Sequence, residues 1–116
     1  PTSALVDAVR GLLAIEGSIG VIVPDADAAP VLAALRDGGV DAAPLAEEND
    51  PRVAVVPASA AKGLEFDSVV LVEPAAIVAA EATRTSGLRR LYVVLTRAVS
   101  HLTVLHDAPL PAELGR

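Results

Sequence analysis

The chain reads as an α/β protein with a mainly parallel sheet covered by helices on both faces. Three observations predict this. Short, continuous apolar runs stand at 19–23, 53–57, 68–73 and 101–106, the pattern of strands buried on both sides. Between them lie segments whose apolar residues recur at helical spacing. Strands that alternate with helices call for crossover connections, and so for parallel pairing.

Each element can be justified in order. Residues 3–16 form an amphipathic helix, with Ser3 as N-cap, Leu5, Val6, Val9, Leu12, Leu13 and Ile15 largely on one face, and Gly17 to end it. Ile19–Val23 is a buried strand stopped by Pro24-Asp25. Asp25 or Asp27 caps a second helix through about Arg36, with Pro30 tolerated in its first turn and Gly38-Gly39 closing it. Residues 41–51, with Pro44, Glu47, Glu48, Asn49, Asp50 and Pro51, read as a solvated loop or frayed edge; the acidic residues lack calcium-loop spacing. Val53–Val56 is the next strand, followed by a charged turn over 60–67 and the strand 68–73. Pro74 opens a helix through about Thr83, which Thr85-Ser86-Gly87 breaks. Leu88–Val99 is then a helix with Leu88, Leu91, Tyr92 and Leu95 on one face, and His101–Leu105 is the last strand.

Composition narrows the chemistry. The 116 residues are 53% apolar with one Phe and one Tyr, so the core is built from Ala, Val, Leu and Ile, and a disordered chain is excluded. Nine Lys plus Arg against fifteen Asp plus Glu give a net charge of −6, poor for generic binding of phosphate backbones. Without cysteine there is no disulfide and no thiolate metal site. No apolar run approaches the ~18 residues of a membrane span, and no signal peptide is recognisable, which fits a cytoplasmic location. The sequence opens on Pro1 rather than Met, so a piece of a longer protein is expected.

The motifs for phosphate cradling, G-x-x-x-x-G-K-[ST], for dinucleotides, G-x-G-x-x-G, and for a serine nucleophile, G-x-S-x-G, do not occur. His101 and His106 have no partners at ligand spacing. Two charged stations remain. One is Lys62-Gly63-Leu64-Glu65-Phe66-Asp67, at the mouth of a buried strand. The other is Arg89, Arg90, Thr96 and Arg97 on the helix 88–99, where Arg90 and Arg97, seven apart, should share an outward face.

These two stations resemble the last two signature motifs of superfamily 1 helicases of the UvrD/Rep type. The first motif, A-K-G-L-E-F before an apolar strand, stands here as Ala61-Lys62-Gly63-Leu64-Glu65-Phe66 and then Val69–Val72. The second, R-x-L-Y-V-A-L-T-R-A, stands as Arg89-Arg90-Leu91-Tyr92-Val93-Val94-Leu95-Thr96-Arg97-Ala98. Residues 18–40 are similar to the strand and helix that open the second motor domain of that family. The resemblance implies a RecA-like, three-layer domain that closes over ATP and Mg2+ held mainly by a separate P-loop motor domain. It implies that Arg97 is an arginine finger, that Glu65 accepts from the ribose hydroxyl, that Gly63 admits backbone close to the nucleotide, and that Arg89 and Thr96 support the site. DNA or RNA polymerase is the implied partner, with Ser59 and Lys62 the candidates for nucleic-acid contact. No metal ligand is assigned within this chain.

Two departures bear on the partner. DNA-translocating members carry T-x-H-S before the lysine, where this chain has Pro57-Ala58-Ser59-Ala60. The arginine that such members place after the first strand is missing at Val21-Ile22-Val23-Pro24. The stretch from Ala60 to Asp67 with the later Val72-Glu73-Pro74 is closer to the HelD-like branch, motors that free RNA polymerase from stalled complexes. A third reading keeps the fold as a non-catalytic interaction module.

Overall fold

The computed structural model describes residues 2–46 and 50–114. Five parallel strands form one sheet: β1 (Ile19–Val23), β2 (Ala42–Pro44), β3 (Val53–Pro57), β4 (Phe66–Val72) and β5 (Ala98–Leu105), in the spatial order β2-β3-β1-β4-β5. Ile19 of β1 is in register with Val53 on one side and Ser68 on the other, and Phe66 of β4 with Ala98 of β5. All five residues of β1 are buried, as the centre of a sheet covered on both faces requires.

The helices are α1 (Thr2–Leu13), α2 (Ala28–Asp37), α3 (Pro74–Ala79) and α4 (Arg84–Leu95), with single 3-10 turns at Asp25–Asp27 and Ala58–Ala60. Side chains alternate across the strands and sort the core into two layers. Leu5, Val6, Val9 and Leu12 of α1 and Val31 and Leu35 of α2 meet Ile19, Val21, Val23, Val53, Val55 and Val70 on one face. Ile77 and Val78 of α3 and Leu91 and Val94 of α4 meet Ile22, Ala54, Val56, Val69 and Leu71 on the other. The expected three-layer α/β architecture is therefore present. Truncating a fully buried Ile22, Leu71 or Leu91 to Ala would cost about 2–5 kcal/mol.

Several boundaries differ from the sequence reading. Helix α1 begins at Thr2, so Ser3 lies within it and is not its cap, and it ends at Leu13. Its C-terminal carbonyls are closed by a residue far along the chain. The Arg52 guanidinium donates to Leu13 O at 3.0 Å, Ile15 O at 2.6 Å and Gly17 O at 3.2 Å. Residues 42–44, expected in a loop, form the edge strand β2, held by pairing to β3 and by Arg36 Nε donating to Ala42 O at 3.0 Å. Glu47, Glu48 and Asn49 lie outside the described residues. Strand β4 starts at Phe66 and β5 at Ala98, each two or three residues earlier than expected, because they pair with each other there.

The larger difference is at α3 and α4. Helix α3 stops at Ala79, and Thr85-Ser86-Gly87 does not break a helix but opens the next one. Thr83 is the N-cap: its hydroxyl accepts from Ser86 N at 3.1 Å, and Thr83 N donates back to Ser86 Oγ at 3.4 Å, a capping box. Gly87 sits inside the helix because a Cβ there would stand 2.4 Å from Val78 O; its lack of side chain lets α3 and α4 touch. The buried face of α4 is Gly87, Leu91 and Val94, whereas Tyr92 is 69% exposed, so the expected apolar face is rotated.

Candidate functional site

Because every strand runs the same way, each loop lies at the pole where strands start or at the pole where they end. The connection from β3 to β4 must travel from the second pole to the first. It does so over 58–65, a distance of about 17 Å for a five-residue strand, with no complete α-helix. Ala58 and Ala61 are buried as it crosses the face beneath α4, and Leu64 is half-buried. The segment thereby places the candidate residues at opposite ends. Ser59 is at the strand-end pole, next to the exit of β1. Gly63, Leu64 and Glu65 reach the strand-start pole, where α4 ends and where Phe66 N donates to Arg97 O at 2.9 Å.

Arg97 is the centre of the strand-start pole. It lies just past the last turn of α4, and its side chain turns back rather than outward. Nε donates to Val93 O at 2.9 Å, Nη1 to Leu64 O at 3.0 Å and Nη2 to Thr96 Oγ1 at 3.2 Å. Thr96 Oγ1 in turn donates toward Val93 O at 2.9 Å and Tyr92 O at 3.1 Å. The guanidinium therefore satisfies carbonyls that the helix end leaves open and ties the two sequence motifs together. This corrects the expectation that Arg90 and Arg97 share an outward face. The helix ends at Leu95, so heptad spacing does not carry to residue 97, and Arg90 instead pairs with Glu81 at 2.8 Å.

The other candidates are placed as follows. Gly63 has φ +83°, a conformation that glycine adopts at no steric cost, and beyond its chain neighbours no heavy atom lies within 4 Å of where its Cβ would be. Backbone at this point is open to a ligand. Lys62 and Glu65 are exposed beside it. Arg89 is also exposed, but on the outer face of α4, where it lines an open apolar groove with Thr85, Leu88, Tyr92 and Val93. Eight residues separate it from Arg97, about 12 Å of helix rise, so it does not join the Gly63–Arg97 cluster within this chain.

At the strand-end pole Ser59 N donates to Asp25 Oδ1 at 3.0 Å. Partial burial pushes the Asp25 carboxyl up, but the hydrogen bonds from Ser59 and the nearby Arg90 charge outweigh it and hold the group below its usual value. The sequence reading treated Asp25 only as a helix cap; no side-chain cap bond is made by Asp27, the residue at that position. Asp67, at the end of the charged turn, is likewise committed to structure. Its Oδ2 accepts from Ser18 N at 2.8 Å and Ser18 Oγ at 3.2 Å, while Asp67 N donates to Ser18 Oγ at 3.1 Å, bracketing the starts of β1 and β4.

Among the described residues no group of three or more His, Asp or Glu side chains could hold a metal ion, and no helix is long and apolar enough to cross a membrane. His101 is exposed on β5, and His106 Nδ1 bonds to Ala108 O at 2.8 Å.

A parallel five-stranded sheet between two helical layers is an architecture that this chain shares with a helicase C-terminal domain. The chain is similar to the C-terminal domain of a possible DNA helicase from Lactobacillus plantarum WCFS1, at 25% identity and a TM-score of 0.80, over 99% of this chain and 71% of that one. The fold is also that of part of Arterivirus nonstructural protein 10, a helicase solved in complex with DNA, at 18% identity and a TM-score of 0.58, over 97% of this chain and 28% of that one. No protein-family model and no curated protein matches the sequence.

Proposed function

We propose that this chain is the second motor domain of an ATP-dependent superfamily 1 helicase or translocase of the UvrD/Rep type, a part of a larger cytoplasmic protein. The observation that carries the reading is the convergence of Arg97, Thr96 and Gly63, from two motifs thirty residues apart in sequence, on one exposed pole. The chain lacks a phosphate-cradling loop of its own, so these residues fit a nucleotide only as one wall of a cleft. A P-loop domain would supply the other wall and hold ATP with Mg2+, whose charge would offset that of the phosphates. Gly63 lets backbone approach the nucleotide, and Glu65 accepts from a ribose hydroxyl. Arg97 leaves its carbonyls and offsets the charge on the transferring phosphoryl group, a task suited to a permanently charged planar guanidinium. Thr96, just past α4, supports that wall through its bond to Arg97 Nη2, whereas Arg89 stands apart from it on the outer face of the helix.

Arg97→Ala in the full-length protein tests this. ATP turnover should fall by about 10³ or more, as for a lost arginine finger. A loss under tenfold would remove Arg97 from the chemistry and favour a non-catalytic interaction module. The isolated chain should not turn over ATP.

A second reading, a HelD-like motor acting on RNA polymerase, is supported by the engagement of Ser59 N with Asp25 and by the Pro57-Ala58-Ser59-Ala60 stretch. Co-purification of polymerase with the full-length protein, without stimulation of ATP turnover by single-stranded DNA, is the outcome expected on that reading.

A further inference from the structure

The strand-end pole carries an anion of its own, the exposed Asp25. Ligands of open parallel sheets dock at the carboxyl ends of the strands, and proteins hold phosphate backbones with backbone N–H groups and cations. Here both kinds of donor are already engaged. Ser59 N, the donor at the exit of β3, gives its hydrogen bond to Asp25 Oδ1 at the exit of the adjacent β1. Arg90, the cation whose charge acts on Asp25, is paired with Glu81 at 2.8 Å. The rest of the turn, Pro57-Ala58-Ser59-Ala60, offers no charge, and the chain as a whole is at −6.

We propose that Asp25 is a specificity-determining residue: its carboxylate occupies the place and the donor that a nucleic-acid phosphate would use, and closes this pole to nucleic acid. Two effects act together. A phosphate would have to displace a hydrogen-bonded carboxylate from Ser59, and it would approach a like charge at close range. The carboxyl is held ionised by the same contacts, so the obstruction persists at neutral pH. Any nucleic acid that the full protein handles is then gripped elsewhere. The biological meaning rests on the motor reading above. Binding and ATP turnover are measured separately, so either can fail without the other.

The test is binding of a fluorescent single-stranded oligothymidylate to the 116-residue chain by anisotropy at low salt. Wild type is compared with Asp25→Ala, which frees Ser59 N and removes the charge, and with Asp25→Asn, which removes the charge but keeps an acceptor. Asp7→Ala, the same charge change at an exposed position of α1, is the control. The expected order of affinity is Asp25→Ala above Asp25→Asn above Asp7→Ala, the last close to wild type, with about a tenfold gain for Asp25→Ala. Equal gains at Asp25 and Asp7 would reduce the effect to net charge and overturn the proposal, and so would wild-type binding as tight as that of Asp25→Ala. Circular dichroism identifies a misfolded variant; in that event the comparison of Asp25→Asn with Asp7→Ala decides.

Discussion

Removing the Arg97 side chain should destabilise this domain whether or not another domain is present. Three hydrogen bonds are lost, two of them from a charged donor to the main-chain carbonyls of Leu64 and Val93. A hydrogen bond to a charged group contributes about 1.5–3 kcal/mol, and a buried acceptor left open costs about 1–3 kcal/mol. Arg97 is only half-buried, so water replaces part of what is lost, and the helix end has other local acceptors and donors. A net loss of about 1–2 kcal/mol follows for Arg97→Ala. In a chain of this size that is a fall in Tm of about 5–10 °C. Arg97→Lys should recover little of it, since a single ammonium cannot donate in a fork to carbonyls on two segments. The assay is thermal and urea unfolding of the 116-residue chain, with amide exchange to locate the effect. Exchange should rise at Leu64–Phe66 and at the last turn of α4, the two places that the guanidinium joins. A Tm within about 1 °C of wild type, with unchanged exchange at these amides, would refute the view that Arg97 ties the two motifs together in the absence of nucleotide.

Gly87→Ala places a Cβ 2.4 Å from Val78 O, which the backbone must move to accommodate. Overpacking of this kind costs about 1–3 kcal/mol, so the usual gain from Ala in a helix should be reversed; equilibrium unfolding in urea reads the sign directly. Asp25 adds a pH dependence. Its carboxyl is held below its usual value in the folded chain, so its contribution to stability is fully present above the unfolded value and is lost as pH falls through the folded one. Acid titration of stability should therefore be slightly shallower for Asp25→Asn than for wild type, and parallel curves would show that the Ser59 and Arg90 contacts contribute nothing.

How much of this was legible in the sequence follows from the range of the interactions. Strand β1 is set by four apolar residues and Gly20 between Gly17-Ser18 and Pro24, and its bounds could be read directly. The amphipathic faces of α1 and α2 and the parallel class of the sheet were legible for the same reason: hydrophobic period and local breakers act within a few residues. The start of α4 was misread although its signal is local. Thr83-Arg84-Thr85-Ser86 is a capping box with Ser in the place usually held by Glu or Gln, and Gly87 drew the reading toward a break. The two motifs marked Gly63, Thr96 and Arg97 as candidates, one strand and two helices apart along the chain.

The sequence by itself determined the composition of the core, the alternation of strand and helix, and which residues are candidates for chemistry. Only the tertiary structure decided where those candidates stand. The edge strand β2 exists because β3 offers a partner, and three residues carry no pattern of their own. Arg52 closes a helix thirty-nine residues away, Asp67 brackets Ser18, Asp25 takes Ser59, and Arg97 reaches back to Leu64. Each of these is a charged side chain meeting main-chain groups across a large sequence separation. Such bonds depend on how the packed layers place backbone donors and acceptors, which hydrophobic pattern specifies only through the finished fold. The sheet's parallel order also put Ser59 and Arg97 at opposite poles, although the 58–65 segment joins the two regions in a few residues.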